Sequence, residues 1–175
     1  CIQSMINHCG NDFNICLIDD DSFVKLIPGW KIDMESLSPH HKMIYRYIGI
    51  LSLIYHYGGI TLPNSFLCFQ NLDETYQKLI SEKKPFVFET KNRSLDLSYS
   101  RNPPSLAPDI QCIGALKNDE TINDLIQQLE TSIKNGHIAD ETAFKGTFSL
   151  SILNNSQHFT IAPAKLLGIL NSDSS

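Results

Sequence analysis

The stretch SPHHKMIYRYIGILSLIYHYGGITLP, residues 38–63, decides how this chain is built. Ser38 is a favourable N-cap, Pro39 suits a first turn, where its missing N–H costs nothing, and Gly58 stands where a helix commonly stops. The spacing predicts a helix over 39–57. Ile44, Ile48, Leu51 and Tyr55 recur on one face with Tyr47 and Ile54 beside them, so the apolar arc is wide and the helix belongs mostly to the interior. Lys42, Arg46, Gly49, Ser52 and His56 form the narrow remaining seam, and Gly49 on it permits a close approach. The apolar core of this stretch, Met43 to Tyr57, contains Arg46 and His56 and is shorter than the roughly 20 residues that a bilayer demands. A membrane span is not expected.

Upstream, residues 1–9 read as the end of a helix, Cys9-Gly10-Asn11-Asp12 as a turn, and Phe13 to Ile18 as a short strand whose own upstream neighbour is missing. Asp19-Asp20-Asp21 then places three carboxylates at the strand end, with Asp20 or Asp21 capping a short helix that runs through Leu26 and stops before Pro28-Gly29. Downstream, Ile60–Leu62 and Phe66–Phe69 read as two short strands or one broken strand around the turn Pro63-Asn64-Ser65. A helix over 72–81, a strand over 85–89, a long loop or hairpin from Lys91 to Pro108 around Leu95-Asp96-Leu97, and a strand over 110–116 follow. A helix spans 119–134, with Ile122, Leu125, Ile126, Leu129 and Ile133 at helical spacing. Asp140 caps another through Phe148. Phe159 to Leu170 offers a strand and a short helix before a polar tail, 171–175. The alternation predicts an α/β fold in a single domain, residues 1–170, with a mixed sheet flanked by helices and lacking its first strand.

Composition narrows the function classes. Apolar residues make up 42% of the 175 and charged residues 19%, ordinary globular usage with enough apolar surface for a core. The net charge of −5 is spread along the chain and no Lys/Arg stripe is present, which disfavours nucleic acid as a partner. Cys1, Cys9, Cys16, Cys68 and Cys112 are odd in number and scattered, without a CxxC pair, so they read as buried free thiols in a reducing, intracellular setting. Residues 1–12 lack a basic start followed by an apolar run, so no signal peptide is expected. No P-loop, dinucleotide fingerprint, nucleophile elbow or HExxH occurs.

The segment IYRYIGILSLIYHYGGITLPNSF, residues 44–66, resembles the signature of the family described as glycosyltransferase sugar-binding region containing the DXD motif: a helix carrying an Arg, a Gly-Gly turn, then a strand ending in Asp-x-Asp. CIQSMINHCGNDFNICLIDDDSF, residues 1–23, is similar to the family's preceding helix, strand and acidic strand end. The resemblance implies a GT-A-like, Rossmann-like fold and a manganese or magnesium ion, held by the two aspartates, that neutralises a nucleotide-sugar diphosphate. Aligned on Gly58-Gly59, the family's aspartates fall at Pro63 and Ser65, its preceding Tyr at Thr61, and its Arg at Ile50, one turn beyond Arg46. Proline has no ligand atom in its side chain, and a neutral Ser hydroxyl is a weak ligand for a hard cation.

The architectural half of the pattern is therefore present and the chemical half is not. Arg46, Gly58, Gly59, Pro63, Asn64 and Ser65 mark the degenerate motif region. Asp19, Asp20 and Asp21 are the candidate substitute carboxylates for a cofactor, with helix capping and solvated charge as their simpler role. His40-His41, His56 and the pair Asp140-Glu141 are further polar candidates whose simpler roles are helix starts and structure. The expected function is a catalytically degenerate glycosyltransferase-like domain with no metal and no cofactor, binding other proteins in a larger assembly. The segment from Gly58 to Cys68 is similar to GG-x-x-x-P-x-S-F-x-C segments in proteins of large DNA viruses, which adds a virion to the expected locations. The alternative is an active nucleotide-sugar-dependent glycosyltransferase that uses non-standard carboxylates with Mn or Mg.

Overall fold

The computed structural model describes residues 1–91 and 106–167. The expected loop around Leu95–Leu97 and the polar tail lie outside the described residues. The elements in chain order are α1 (Ile2–Cys9), α2 (Asp20–Leu26), α3 (Pro39–Tyr57), β1 (Gly59–Ile60), α4 (Asp73–Ile80), β2 (Phe86–Lys91), β3 (Leu106–Ala115), α5 (Glu120–Lys134), α6 (Glu141–Asn154) and β4 (Thr160–Ala162). The four strands form one mixed sheet in the order β1-β3-β2-β4, with β3 antiparallel to both its neighbours and β4 parallel to β2. An α/β fold is thus present.

Alternation along the strands separates two apolar faces. Val87, Ile110 and Ile113 join Ile44, Ile48 and Leu51 of α3, Leu125 and Leu129 of α5, and Phe144, Phe148 and Ile152 of α6 in the main core. Phe86, Phe88 and Cys112 point the other way, onto Ile80 of α4 and Ala162 of β4. The third and smallest cluster, Phe23, Ile27 and Met34, lies under α2 and the loop that follows it, against Ile50 and Leu53 on the far side of α3. That central helix is therefore covered on both sides.

The ends of α3 follow the local chemistry. Ser38 accepts a hydrogen bond from the His41 N–H, Pro39 opens the helix, and the Gly58 N–H closes it on the Ile54 carbonyl at 2.8 Å. Gly58 and Gly59 have φ of +71° and +101°, which only glycine adopts freely. A Cβ on Gly58 would also lie 2.8 Å from the Lys117 nitrogen, so this turn needs glycine for space as well as for conformation.

Four expectations are corrected. Phe13–Ile18 is not a strand: residues 14–19 pair with nothing in the sheet and Leu17 is exposed, because apolar and β-branched residues make a strand only where a ladder partner lies alongside. After Gly59–Ile60 the chain leaves the sheet, with one further backbone bond from the Thr61 N–H to the Ile113 carbonyl, and 66–69 is no strand either. Pro63 brings no N–H to a ladder, and the Phe66 N–H closes a turn on the Pro63 carbonyl at 2.9 Å. Strand β3 begins at Leu106 rather than 110, taking in Pro108 where the register with β2 shifts between Val87 and Glu89, a place that tolerates proline. Helix α6 continues past Phe148 to Asn154 because Phe144, Phe148 and Ile152, four apart, all reach the main core.

Candidate functional site

Among the candidate carboxylates, Asp19 is the first to be assigned. Its side chain accepts from the Ser22 N–H at 2.9 Å while the Ser22 hydroxyl accepts from the Asp19 N–H at 3.2 Å, a reciprocal capping box at the start of α2. Asp19, not Asp20 or Asp21, is the cap. The Ser22 hydroxyl also donates to Asp19 Oδ1 at 2.6 Å, and these bonds hold the carboxyl below its ordinary range.

With the cap at Asp19, Asp20 and Phe23 stand three residues apart on one face of α2 and meet Arg46 and Gly49, three apart on the seam of α3. Arg46 grips Asp20 with two parallel bonds, Nε to Oδ1 at 2.6 Å and Nη2 to Oδ2 at 2.8 Å. The hydrogen bonds from Arg46, with its positive charge beside them, lower the Asp20 carboxyl, and the same bonds raise the guanidinium. One turn along, the Phe23 ring fills the space over Gly49 and packs on Trp30 with ring centroids 5.2 Å apart. The close approach expected at Gly49 is made by an aromatic side chain. Asp21 remains exposed.

The motif region gives little chemistry of its own. Gly58 and Gly59 make the turn, Pro63 is half-buried, and Asn64 and Ser65 are exposed in the turn that carries the chain out of the sheet. Among the described residues no hydrogen bond or ion pair joins Asp20 or Arg46 to residues 63–65. His41 is held by Ser38 through Nδ1 at 2.8 Å at the start of α3, and the His56 ring lies edge-on to Tyr55 in its last turn. Among the described residues no group of three or more His, Cys, Asp and Glu side chains converges on a common point. The residues present do not fit the divalent cation that the resemblance implies, since Asp19 is used in a cap, Asp20 is neutralised by Arg46, and Pro63 and Ser65 stand at the expected ligand positions.

Asp140 and Glu141 separate into two roles. Asp140 caps α6 by accepting from the Ala143 N–H at 2.7 Å. Glu141 receives the Tyr47 hydroxyl at 2.7 Å and the Lys145 ammonium at 2.8 Å, and Lys145 lies 5.6 Å from the Tyr47 ring centre. Hydrogen bonds from Lys145 and then Tyr47 lower the Glu141 carboxyl, while burial and the Glu141 contact push the Tyr47 phenol up to about 12. Residue types alone could not find this pairing, because its partners are 94 positions apart.

The sequence reasoning also missed a pair of thiols. Cys9 at the end of α1 and Cys68 are both buried, with their sulfurs 3.6 Å apart. Compared with known protein families, characterised proteins and solved structures, the chain shows no match.

Proposed function

We propose that this chain is a catalytically degenerate domain of glycosyltransferase-like, GT-A-like design that works by binding other proteins in a larger assembly, a virion among the candidates. The observation that carries this reading is the bidentate Asp20–Arg46 pair. A candidate substitute carboxylate and the arginine of the helix instead satisfy one another, and they fasten α2 to α3. The resemblance over residues 44–66 supports the frame, and the Pro63-Asn64-Ser65 replacement argues against a gripped cation.

Thermal unfolding in the presence of manganese and a panel of uridine and guanosine diphosphate sugars tests it. A donor supplied at a hundred times its dissociation constant would stabilise the fold by about 2.7 kcal/mol, a rise of about 5–10 °C for a chain of this size. No saturable, metal-dependent rise is expected. Such a rise, or turnover of any donor, would overturn the degenerate reading in favour of an active glycosyltransferase with non-standard carboxylates. In that reading the exposed Asp21 is the acid to substitute first.

A further inference from the structure

We infer that Cys9 and Cys68, whose sulfurs touch at 3.6 Å across the seam between the end of α1 and the segment before α4, are a disulfide-forming site that latches the N-terminal helix to the domain. The two thiols come from positions 59 apart yet face one another, 4% and 2% exposed, with no other side chain between them at that contact. Cys1 and Cys16 are exposed instead, and Cys112 is buried in the cluster with Phe86, Phe88 and Ile80.

The seam around the pair is already shaped as an attachment. The Cys68 N–H donates to the Ser4 hydroxyl at 2.9 Å, the Asn71 amide donates to the Asp12 carboxylate, and the Phe13 ring meets Tyr76 edge-on with centroids 5.7 Å apart. The Cys68 sulfur also lies 2.9 Å from the Gln70 carbonyl, which fixes the side chain toward Cys9. Residues 1–13 thus lie on residues 68–76 through a few polar and aromatic contacts, and a covalent bond at Cys9–Cys68 would make that contact permanent.

The co-reactant is a low-molecular-weight disulfide. One thiolate of the pair attacks it, releases one small thiol and leaves a mixed disulfide; the second protein thiolate then attacks the protein-bound sulfur and releases the other small thiol. The two cysteines together give up two protons and two electrons, and the small disulfide is reduced to two thiols. Burial raises the Cys68 thiol, so attack proceeds from an opened state in which α1 has parted from the seam.

The test uses the whole chain with the exposed thiols removed, Cys1→Ser/Cys16→Ser, incubated with oxidised glutathione both in native buffer and in dilute urea followed by refolding. The urea arm ensures that burial does not withhold the reaction. The expected product has lost the mass of two hydrogens, yields a non-reduced peptide joining Cys9 to Cys68, and melts about 5–15 °C higher than the reduced protein, because the bond closes a long loop in the unfolded chain. Reduction reverses the shift. Adding Cys68→Ala abolishes both the mass change and the rise. If both thiols stay free in both arms, if they carry glutathione or link to Cys112, or if the linked protein melts no higher than the reduced one, the inference is wrong.

Discussion

Tyr47 shows how one side chain can tie two helices and make stability respond to pH. Its hydroxyl donates to Glu141 at 2.7 Å, and its ring stacks on Phe144 with centroids 5.4 Å apart. Burial is the main reason that its phenol rises to about 12, with the Glu141 bond second. A raised folded value means that the neutral form is preferred in the native state. Its contribution is fully present below the unfolded value near 10 and is lost as pH climbs from there through about 12. Tyrosinate absorbance should accordingly show a phenol that ionises last in the native protein, and Tyr47→Phe should remove that late step and flatten the fall in stability at high pH. Tyr76, also raised by burial, titrates late as well and remains in the variant as an internal reference. An unchanged alkaline profile in Tyr47→Phe would count against the assignment.

On the scale of elements, α2 is short and depends on how it docks to α3. Two of the contacts that hold it differ in kind. The Asp20–Arg46 pair is bidentate but its side chains are 27% and 43% exposed, so solvent screens it and its net worth is at most about 1 kcal/mol. At Gly49 an added Cβ would come within 2.5 Å of the Phe23 ring, which is buried and has no solvent to move into. Gly49→Ala is therefore expected to cost about 1–3 kcal/mol by overpacking, more than Asp20→Asn. Urea unfolding of both variants checks the order. The reverse order would mean that the ion pair, rather than the aromatic packing, positions α2.

For the molecule as a whole, the sheet is the partition between a large core and a small one. Phe148 is fully buried in the large core, where residues from α3, α5, α6, β2 and β3 meet. Phe148→Ala should cost about 3–5 kcal/mol, and far-ultraviolet and near-ultraviolet circular dichroism should still report one shared transition. Two separated transitions would show that the α2 cluster and the main core unfold independently. The main core was the most legible part of the fold in the sequence. Ile44, Ile48 and Leu51 on α3 and Ile122, Leu125 and Leu129 on α5 repeat at helical spacing, and repetition of that kind has few alternative explanations. The candidate site was far less legible. Asp20 and Arg46 were both singled out, but nothing local couples residues 26 apart, and Glu141 and Cys68 had no visible partners at all.

The sequence by itself determined where α3, α5 and α6 begin and where α3 ends, through Ser38, Asp119, Asp140 and the Gly58-Gly59 turn, and which faces of α3 and α5 are apolar. Capping and periodicity act within a turn or two, so these features survive without knowledge of the rest of the chain. Tertiary structure alone decided that Phe13–Ile18 stays out of the sheet and that β3 starts early through Pro108. It also decided that Asp20 meets Arg46, Glu141 meets Tyr47, and Cys9 meets Cys68. A strand needs a neighbour and a charge or thiol needs a partner, and which distant residue fills that place is settled only when the helices and sheet have packed.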